Sequence, residues 1–466
     1  MATIHFHGAA QQVTGSCHLI ESTAIGKVLL DCGMEQGGDD RELYQKQFAF
    51  NPQQIDAVIL SHAHLDHSGM LPKLVRQGFH GRIYCTHATK ALLEIMLKDA
   101  VSIYLHDLER ENIRRARQGE GPLQPIIEQT DVQKTLSLCQ TYDYLESISI
   151  GSAGVLKFRD AGHILGSSIV ELTLTERGER KVLVFSGDLG NPDTVLMKAP
   201  SMVYHADVLM MESTYGDRDH RNYTNTCNQF ADLLDKAKKQ GGNVLIPSFA
   251  VGRTQELLFH LGCLYHQGRL EGWQVFLDSP MAIAVTEIYD RWAALLDKKA
   301  MHHLAKYNYD SLQSFLPNLH LTPDPDQSMA LNRIKGGAII IAGSGMCTGG
   351  RIRQHFKHRL WRTDTTVIFV GFQARNSLGR LLVDGIKHVK LFGEQIAVKA
   401  QIETLGGFSA HAGKTQLMEW QQHFKDSPKT ILVHGEVSAL ESLAQSLWSD
   451  HHVKAMIPHE GELFSF

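Results

Sequence analysis

Residues 62–67 read His-Ala-His-Leu-Asp-His and directly follow the apolar run Ala-Val-Ile-Leu at 57–60. The motif therefore lies in a loop at the carboxyl end of a predicted strand. Side chains two positions apart point the same way in an extended loop, so the first two histidines can share one metal ion while the aspartate and last histidine serve another. At this protein's histidine and aspartate content the pattern is expected by chance only roughly 0.004 times, which favours a two-metal centre.

Four donors do not complete two metal sites, because a catalytic zinc ion takes three or more protein ligands and keeps one position for water. His163 and Asp188 follow predicted strands and stand beside glycines that allow close backbone approach. We predict that both are further ligands. His5, His7 and His18 belong to the first predicted strands, where a packing role is more common, and they are not included.

The composition is that of an ordered globular protein, with 43% hydrophobic and 21% charged residues among 466. No apolar stretch approaches the roughly 20 residues of a membrane helix, and the first residues resemble a strand and not a secretory signal. Seven cysteines without a CxxC pair fit reduced thiols. We expect a soluble, cytoplasmic protein without membrane contact, whose metal ligands are histidines and carboxylates.

Short β-branched runs that end in polar residues, such as 181–188 and 430–434, alternate with helical stretches and predict an α/β fold. The candidate ligands lie near both ends of the chain. A single site built from both ends indicates an inserted domain at 206–390, with residues 1–205 and 391–466 forming the two parts of the other domain. Neither junction shows a Gly/Pro/Ser-rich linker.

Asp31, the 62–67 motif, His163 and Asp188 match in order and type the first four motifs of the metallo-β-lactamase fold, which this chain resembles. The resemblance implies an αββα sandwich and a pair of zinc ions. Asp31 would not bind zinc itself but would orient a ligand or its neighbour. The implied ligand set is one zinc ion on His62, His64 and His163, a second on Asp66 and His67, and Asp188 as the bridge.

The same fold serves lactam, thioester and phosphodiester hydrolysis, so the second half of the chain decides the substrate. Residues 212–216 (Glu-Ser-Thr-Tyr-Gly), 407–412 (Gly-Phe-Ser-Ala-His-Ala) and 433–436 (Val-His-Gly-Glu) resemble motifs A, B and C of the β-CASP branch. That branch acts on nucleic acids and includes the endonuclease subunit of the cleavage and polyadenylation specificity factor and its bacterial and archaeal relatives. The resemblance implies an inserted α/β β-CASP domain.

By this resemblance His434 completes the second zinc site, and histidine at this motif favours RNA over DNA. His411 would lie near the scissile phosphate with Glu212 as its partner. A carboxylate beside an imidazole raises the imidazole pKa and fixes its tautomer, which suits His411 to protonate the leaving oxygen. The proposed catalytic groups are thus Asp66, Asp188, Glu212 and His411.

The net charge of −4 does not by itself suggest a nucleic-acid binder. Residues 351–390, however, contain nine basic and two acidic side chains. The adjoining Gly-rich loops at 342–351 and 371–380 follow predicted strands, where backbone amides and helix starts can hold phosphate. The candidate substrate-binding residues are Ser344, Gly345, Arg375, Gly379, Arg380 and Ser409.

The resulting hypothesis is a zinc-dependent ribonuclease in which a metal-bridging hydroxide attacks the phosphorus of single-stranded RNA. Two alternatives stay open: a DNA nuclease or other hydrolase on the same fold, and a non-catalytic RNA-binding scaffold. The intact ligand set disfavours the scaffold. The sequence does not distinguish internal cleavage from removal of nucleotides at a 5′ end. It also leaves open whether the protein forms a homodimer.

Overall fold

A computed structural model describes residues 2–35, 44–371, 373–374 and 377–466. The strands are β1 (Thr3–Gly8), β2 (Cys17–Ser22), β3 (Gly26–Leu30), β4 (Ala57–Ile59), β5 (Arg82–Thr86), β6 (Cys139–Tyr142), β7 (Ile148–Ile150), β8 (Gly154–Asp160), β9 (Ser168–Glu176), β10 (Glu179–Phe185), β11 (Val208–Glu212), β12 (Val244–Pro247), β13 (Gln274–Leu277), β14 (Leu319–Leu321), β15 (Ala338–Ala342), β16 (Thr366–Phe369), β17 (His388–Leu391), β18 (Glu394–Ala397), β19 (Gln401–Thr404), β20 (Lys429–Val433), β21 (Ala455–Met456) and β22 (Leu463–Ser465). The helices are α1 (Leu65–Ser68), α2 (Leu71–Arg76), α3 (His87–Arg117), α4 (Gln129–Leu138), α5 (Tyr223–Gln240), α6 (Arg253–His266), α7 (Pro280–Arg291), α8 (Lys298–Lys306), α9 (Pro325–Ala330), α10 (Ile352–Arg359), α11 (Leu378–Val383), α12 (Lys414–Gln422) and α13 (Val437–His451).

The chain divides into two units, and the first comprises Met1–Pro192, Ala199–Asp219 and His411–Phe466. It contains two seven-stranded sheets, ordered β22-β1-β2-β3-β4-β5-β6 and β21-β20-β11-β10-β9-β8-β7. Alternate side chains of β1 are buried, as expected for a strand with one face in a core. Phe6 of one sheet and Phe185 of the other belong to one apolar cluster, so the sheets pack face to face.

Helices cover the outer faces of both sheets. The apolar side chains of α12 and α13, including Trp420 and Leu443, cluster with Leu209 and Leu432 of the second sheet. On the other side α3 contacts β5 and β6, and it begins where the Thr86 side chain accepts a hydrogen bond from Thr89 N. The predicted αββα sandwich is confirmed.

The second unit comprises Asp193–Lys198 and His220–Ala410. Its six-stranded sheet has the order β14-β13-β15-β12-β16-β19, with every neighbouring pair parallel. Apolar clusters cover both faces, one formed with α5, α6 and α7 and the other with α10. Because the strands are parallel, all of their carboxyl ends meet at one edge, here called the carboxyl edge.

The boundaries of these units differ from the predicted domain boundaries at 205/206 and 390/391. Strand β11 pairs with β10 and β20 in the first unit, although it lies inside the predicted insertion. Strand β19 pairs with β16 in the second unit, although it lies after that insertion. Strand pairing sets both boundaries, including the pairing of β11 with the distant strand β20, and no linker composition marks them.

Candidate functional site

Backbone hydrogen bonds hold the 62–67 motif against the loop after β3 and the segment before β2. Cys32 N donates to His67 O at 2.8 Å and Ser16 N donates to Asp66 O at 2.8 Å. A Cβ atom added at Gly33 would lie 1.7 Å from the carbonyl oxygen of Asp66. Only glycine therefore permits this close approach, which fixes where the motif's side chains begin.

The first group of ligand atoms consists of His62 Nε2, His64 Nδ1, His163 Nε2 and Asp188 Oδ2. His64 Nδ1 lies 3.1 Å from His62 Nε2 and 3.2 Å from His163 Nε2. Asp188 Oδ2 lies 3.4 Å from His62 Nε2 and 3.5 Å from His163 Nε2. A tetrahedral zinc site with ligands at 2.0–2.1 Å has ligand-to-ligand edges of roughly 3.3–3.4 Å. The four measured distances are close to these edges, so the four atoms could hold one metal ion.

The second group consists of Asp66, His67 and His434, whose ligand atoms all lie within 4.8 Å of one another. His67 Nε2 lies 3.0 Å from His434 Nε2, and His434 Nε2 lies 3.7 Å from Asp66 Oδ2. The other oxygen of Asp188, Oδ1, lies 3.2 Å from His67 Nε2. Asp188 thus faces the first group with one oxygen and the second group with the other.

A buried oxygen atom of Asp188 without a hydrogen-bond partner in the described part of the chain indicates whether the cluster fits metal ions. Asp188 is 2% exposed, and among the described residues its Oδ1 atom has no hydrogen-bond partner. Buried polar groups are otherwise almost always paired. Imidazole nitrogens and carboxylate oxygens are the donor types that zinc accepts. The residues present therefore fit two cations with a shared carboxylate.

Asp31 contacts the His67 ring at the nitrogen that does not face the ligand group. Its Oδ2 atom lies 2.7 Å from His67 Nδ1, so the carboxylate keeps the proton on Nδ1 and leaves the Nε2 lone pair facing the ligand group. Ser61 in turn holds Asp31, donating from its backbone N to Oδ1 at 2.7 Å and from Oγ to Oδ2 at 2.9 Å. Sequence reasoning missed Ser61, although it immediately precedes the motif.

His434 and His163 are also held by neighbouring polar groups. Thr214 Oγ1 lies 3.2 Å from His434 Nδ1, and His434 adopts a left-handed backbone with φ of 53°. The backbone N of His163 donates to Ser167 Oγ at 3.1 Å. Thr214 and Ser167 were not predicted. Thr214 lies within the motif at 212–216, and Ser167 lies four residues after His163, so their proximity to predicted site residues is the signal that could have identified them.

His411 and Glu212 form a contact beside the ligand groups. His411 Nδ1 lies 3.2 Å from Glu212 Oε1, and its ring centroid lies 4.4 Å from that of His163. The fully buried Glu212 carboxylate also accepts from Leu189 N at 2.6 Å. The carboxylate is thereby fixed, and it presents one oxygen to the His411 ring.

The pKa shifts follow from burial and from the neighbouring carboxylates. Burial, with His62 nearby, lowers the pKa of His64 to about 3, which favours the neutral ligand form. Burial opposes protonation of His67, but Asp188 and Asp31 outweigh it and raise its pKa well above 6.5. A cation beside those carboxylates would take the place of that proton. For His411 burial is likewise outweighed, chiefly by Glu212, and the pKa is raised to about 9.

Comparison with known proteins agrees with this geometry. Three family models match the chain: the metallo-beta-lactamase superfamily at residues 11–136, the Beta-Casp domain at 254–382, and the Zn-dependent metallo-hydrolase RNA specificity domain at 395–458. A protein named Ribonuclease TTHA0252 from Thermus thermophilus is 39% identical, with 94% of each chain covered. This chain is a β-CASP member of the metallo-β-lactamase superfamily. The predicted family is confirmed, and the protein takes a metal cofactor.

Two archaeal proteins are also similar to this β-CASP protein. An RNase J-like protein from Methanocaldococcus jannaschii is 29% identical, with 99% of each chain covered. A transcription termination factor FttA from Methanothermobacter thermautotrophicus is 31% identical over 97% of this chain and 70% of the relative. The similarity therefore extends over the whole β-CASP architecture and is not confined to the metal-binding half.

The predicted substrate-binding residues of this β-CASP protein lie in the second unit, except Arg375, which is outside the described residues. Ser344 and Gly345 lie in the loop after β15, and Gly379 and Arg380 lie in α11. A hydrogen bond of 3.2 Å from Gly379 N to the carbonyl of Met346 joins these two segments. Ser409 lies on a separate loop, after β19.

The basic residues at 351–390 are largely engaged within the protein. Arg351 donates to Asp278 at 2.7 Å and to two backbone carbonyls, while Arg359 is only 2% exposed. Internal ion pairs join Lys357 to Glu394, Arg362 to Asp364, and Arg380 to Asp384. Asp364 and Asp384 are the two acids already counted in this segment, and Asp278 and Glu394 offset two further positive charges. The local excess of positive charge is therefore a weaker indication of nucleic-acid binding than the sequence suggested, because these basic side chains are engaged in contacts within the protein.

Within the described residues, no helix combines the length and apolar character needed to cross a membrane.

Proposed function

We propose that this protein is a ribonuclease that hydrolyses phosphodiester bonds of single-stranded RNA with two zinc ions. The observation that carries the proposal is the pair of ligand groups that share Asp188, with the His411–Glu212 contact beside them. The RNA specificity model and the ribonuclease relative support RNA as the substrate. Chemistry at such a centre is hydrolytic, since zinc has no redox activity.

The metal-binding residues would divide the work as follows. His62, His64 and His163 would hold one ion, Asp66, His67 and His434 the other, and Asp188 would bind both, which accounts for its two oppositely facing oxygens. When bound, the ions supply charge neutralisation at the phosphate and lower the pKa of water toward 7. Asp31 would hold the ring of His67 in the orientation that binding needs.

His411 would donate a proton to the leaving oxygen. Its Nδ1 faces Glu212, and in this proposal Nε2 faces the substrate. The Glu212 carboxylate favours the protonated ring, and a donor that is charged at neutral pH can transfer a proton as the phosphorus–oxygen bond breaks. Glu212 is thus a positioning residue that acts through His411.

The loops of the second unit would bind the phosphates of the RNA. Ser344 and Gly345 lie in a glycine-rich turn that precedes α10 at the carboxyl edge, where backbone amides can receive anionic oxygens. The other phosphate-binding residues in this proposal are Gly379, Arg380, Ser409 and Arg375.

The test is cleavage of end-labelled RNA and of DNA of the same sequence by the zinc-loaded protein. We expect RNA products, and their lengths will separate internal cleavage from removal of 5′ nucleotides. Preferred cleavage of DNA would favour the alternative nuclease. A protein that contains two zinc equivalents by elemental analysis but cleaves neither polymer would contradict the proposal and favour the scaffold.

Two further features belong to this proposal. The seven cysteines are free thiols, and five of them are buried, which supports a cytoplasmic location. We take the two structural units to be the two domains, the second inserted into the first. Limited proteolysis that releases a fragment from near residue 220 to near residue 410 would support this division.

A further inference from the structure

An aromatic side chain is exposed at the carboxyl edge of the second unit. Phe249 follows the central strand β12, which lies between β15 and β16, and 40% of its surface is exposed. In open parallel sheets ligands bind in the crevice outside the carboxyl ends of the strands, where the direction of the connections changes. Phe249 is therefore exposed at the part of this sheet where binding is expected.

The backbone that carries Phe249 is fixed by buried polar side chains. Thr254 Oγ1 donates to Phe249 O at 2.7 Å, and Gln255 Nε2 donates to Ala250 O at 3.0 Å. Ser248 N donates to Ala342 O at 3.1 Å. Helix α6 and strand β15 thus hold the loop from both sides. The ring is presented from a rigid base and loses little entropy when it binds a flat partner.

One glycine on each of the two neighbouring loops, after β15 and after β16, lies near the ring. A Cβ atom added at Gly345 would lie 2.7 Å from Cδ2 of Phe249, and one added at Gly371 would lie 4.0 Å from Cε2. No side chain larger than hydrogen fits at Gly345 without moving the ring. The ring therefore packs against the Gly345 backbone, and neither glycine provides a side chain that could cover its exposed part.

We propose that Phe249 is a stacking platform for one base of the RNA substrate, an inference that rests on the proposed function. Single-stranded nucleic acids are commonly bound by aromatic rings that stack on bases beside groups that hold the backbone. Here the ring adjoins the glycine-rich turn of Ser344 and Gly345, which is suited to a phosphate. Stacking of this kind tolerates any base, because every base has a π face.

The test combines protein variants with RNAs that lack one base. Phe249→Leu keeps an apolar side chain but removes the ring, and Phe249→Trp restores a flat surface. Each protein is assayed on an intact RNA and on a set of RNAs with a single abasic nucleotide at successive positions. Trp361→Leu is the matched control, because Trp361 is 53% exposed but precedes β16, at the opposite edge of the sheet.

We expect Phe249→Leu to raise KM by about 5- to 100-fold with kcat changed less than about twofold. One abasic position should raise KM for the wild type and for Phe249→Trp, yet have little further effect in Phe249→Leu. Trp361→Leu should behave as the wild type. Equal sensitivity of Phe249→Leu and wild type to every abasic position would overturn the platform. A wild type without RNA cleavage would instead overturn the proposed function.

Discussion

The candidate metal-ligand cluster of the first unit and the carboxyl edge of the second unit are both assembled from loops after strands, but they differ in the groups that they present. The cluster consists of buried side chains whose polar atoms face one another, including Oδ1 of Asp188, which has no hydrogen-bond partner within the described part of the chain. The edge presents glycine backbone and the exposed ring of Phe249. The first arrangement suits a small ion of fixed geometry, and the second suits a long, flexible polymer.

This contrast determines where mutational effects should concentrate. A buried ligand has no water to replace a lost partner, so its removal is costly. An exposed loop shares binding among many weak contacts, so each one matters less. Substitutions of ligands in the cluster should therefore abolish activity. Substitutions of the buried residues that support the carboxyl edge should lower the free energy of unfolding, and substitutions of exposed residues at that edge should raise KM.

The largest effect is expected for Asp188→Asn. This change removes a charge that both ligand groups share, and metal ions supply several kcal/mol of transition-state stabilisation. We expect loss of bound zinc and a fall in RNA cleavage of roughly 10³-fold or more. Elemental analysis and single-turnover cleavage measure the two effects. Full cleavage by a zinc-free Asp188→Asn protein would exclude the proposed roles of both groups.

His411→Ala should lower kcat by about 10²- to 10⁴-fold while zinc content stays unchanged. An RNA with sulfur in place of the leaving oxygen should be cleaved nearly equally by wild type and variant, because a thiolate leaves without a proton. The matched control is His205→Ala, since exposed His205 contacts Asp426 at 2.7 Å and should be dispensable. Equal losses on both substrates would assign His411 to binding and not to proton donation.

Asp278→Asn tests the buried support of the carboxyl edge. Asp278 accepts from Ser328 and His355 at 2.6 Å and from Arg351 at 2.7 Å. Burial raises the pKa of this carboxyl, but the hydrogen bonds from His355 and Ser328 outweigh it and lower the pKa from 3.8 to about 2. The stabilisation is therefore complete above about pH 4 and is lost as the pH falls through about 2.

We expect Asp278→Asn to reduce the free energy of unfolding by about 2–3 kcal/mol at neutral pH, measured by urea unfolding. The difference from wild type should narrow between about pH 4 and pH 2. Zinc content should be unaffected, which makes this variant the reciprocal control for Asp188→Asn. A difference that does not change with pH would show that lost packing, and not the lost carboxylate charge, causes the destabilisation.

Asp31→Asn should have a smaller effect on the cluster than loss of a ligand. The amide can still accept a hydrogen bond, but it no longer favours the Nδ1 proton of His67 as a carboxylate does. Loss of such support typically costs about 10- to 100-fold in metal affinity. Zinc titration against a competing chelator measures it, and Ser61→Ala should shift the affinity in the same direction by less. Unchanged affinity in both variants would refute the orienting role.

The candidate ligand cluster could largely be proposed from the sequence because its chemistry resides in side-chain identity, whereas His434 was assigned from the motif resemblance. Histidine and aspartate at the spacing of residues 62–67 seldom occur together by chance, and glycines beside His163 and Asp188 mark strand ends. The network of Asp278, His355 and Arg351 was not predictable, because Asp278 is more than 70 residues from the other two and each residue type is common. Only the parallel pairing of β13 with β15 brings them together.

The boundaries of the two units were likewise not predictable from the sequence alone. Glu212 was recognised from its motif, yet its strand was assigned to the insertion because the neighbouring sequence contains no linker. In the structure β11 adds to β10 and β20 through parallel pairing, and β20 lies far along the chain from β11. Pattern reasoning identifies strands and ligands, but it does not determine which distant strand becomes a neighbour.

The smallest effect is expected for Arg380→Gln, which tests whether the edge binds phosphate through side chains as well as through backbone. Arg380 is paired with Asp384 at 2.9 Å, so a phosphate must compete with that carboxylate. We expect KM to rise only a fewfold. Each phosphate contact to single-stranded nucleic acid contributes about 0.7 to the slope of log affinity against log salt, so the slope should fall by up to that amount. Arg362→Gln, which breaks a similar pair with Asp364 before β16, should leave the slope unchanged. If Arg380→Gln also leaves it unchanged, the pair with Asp384 persists in the complex, and Arg380 makes no phosphate contact.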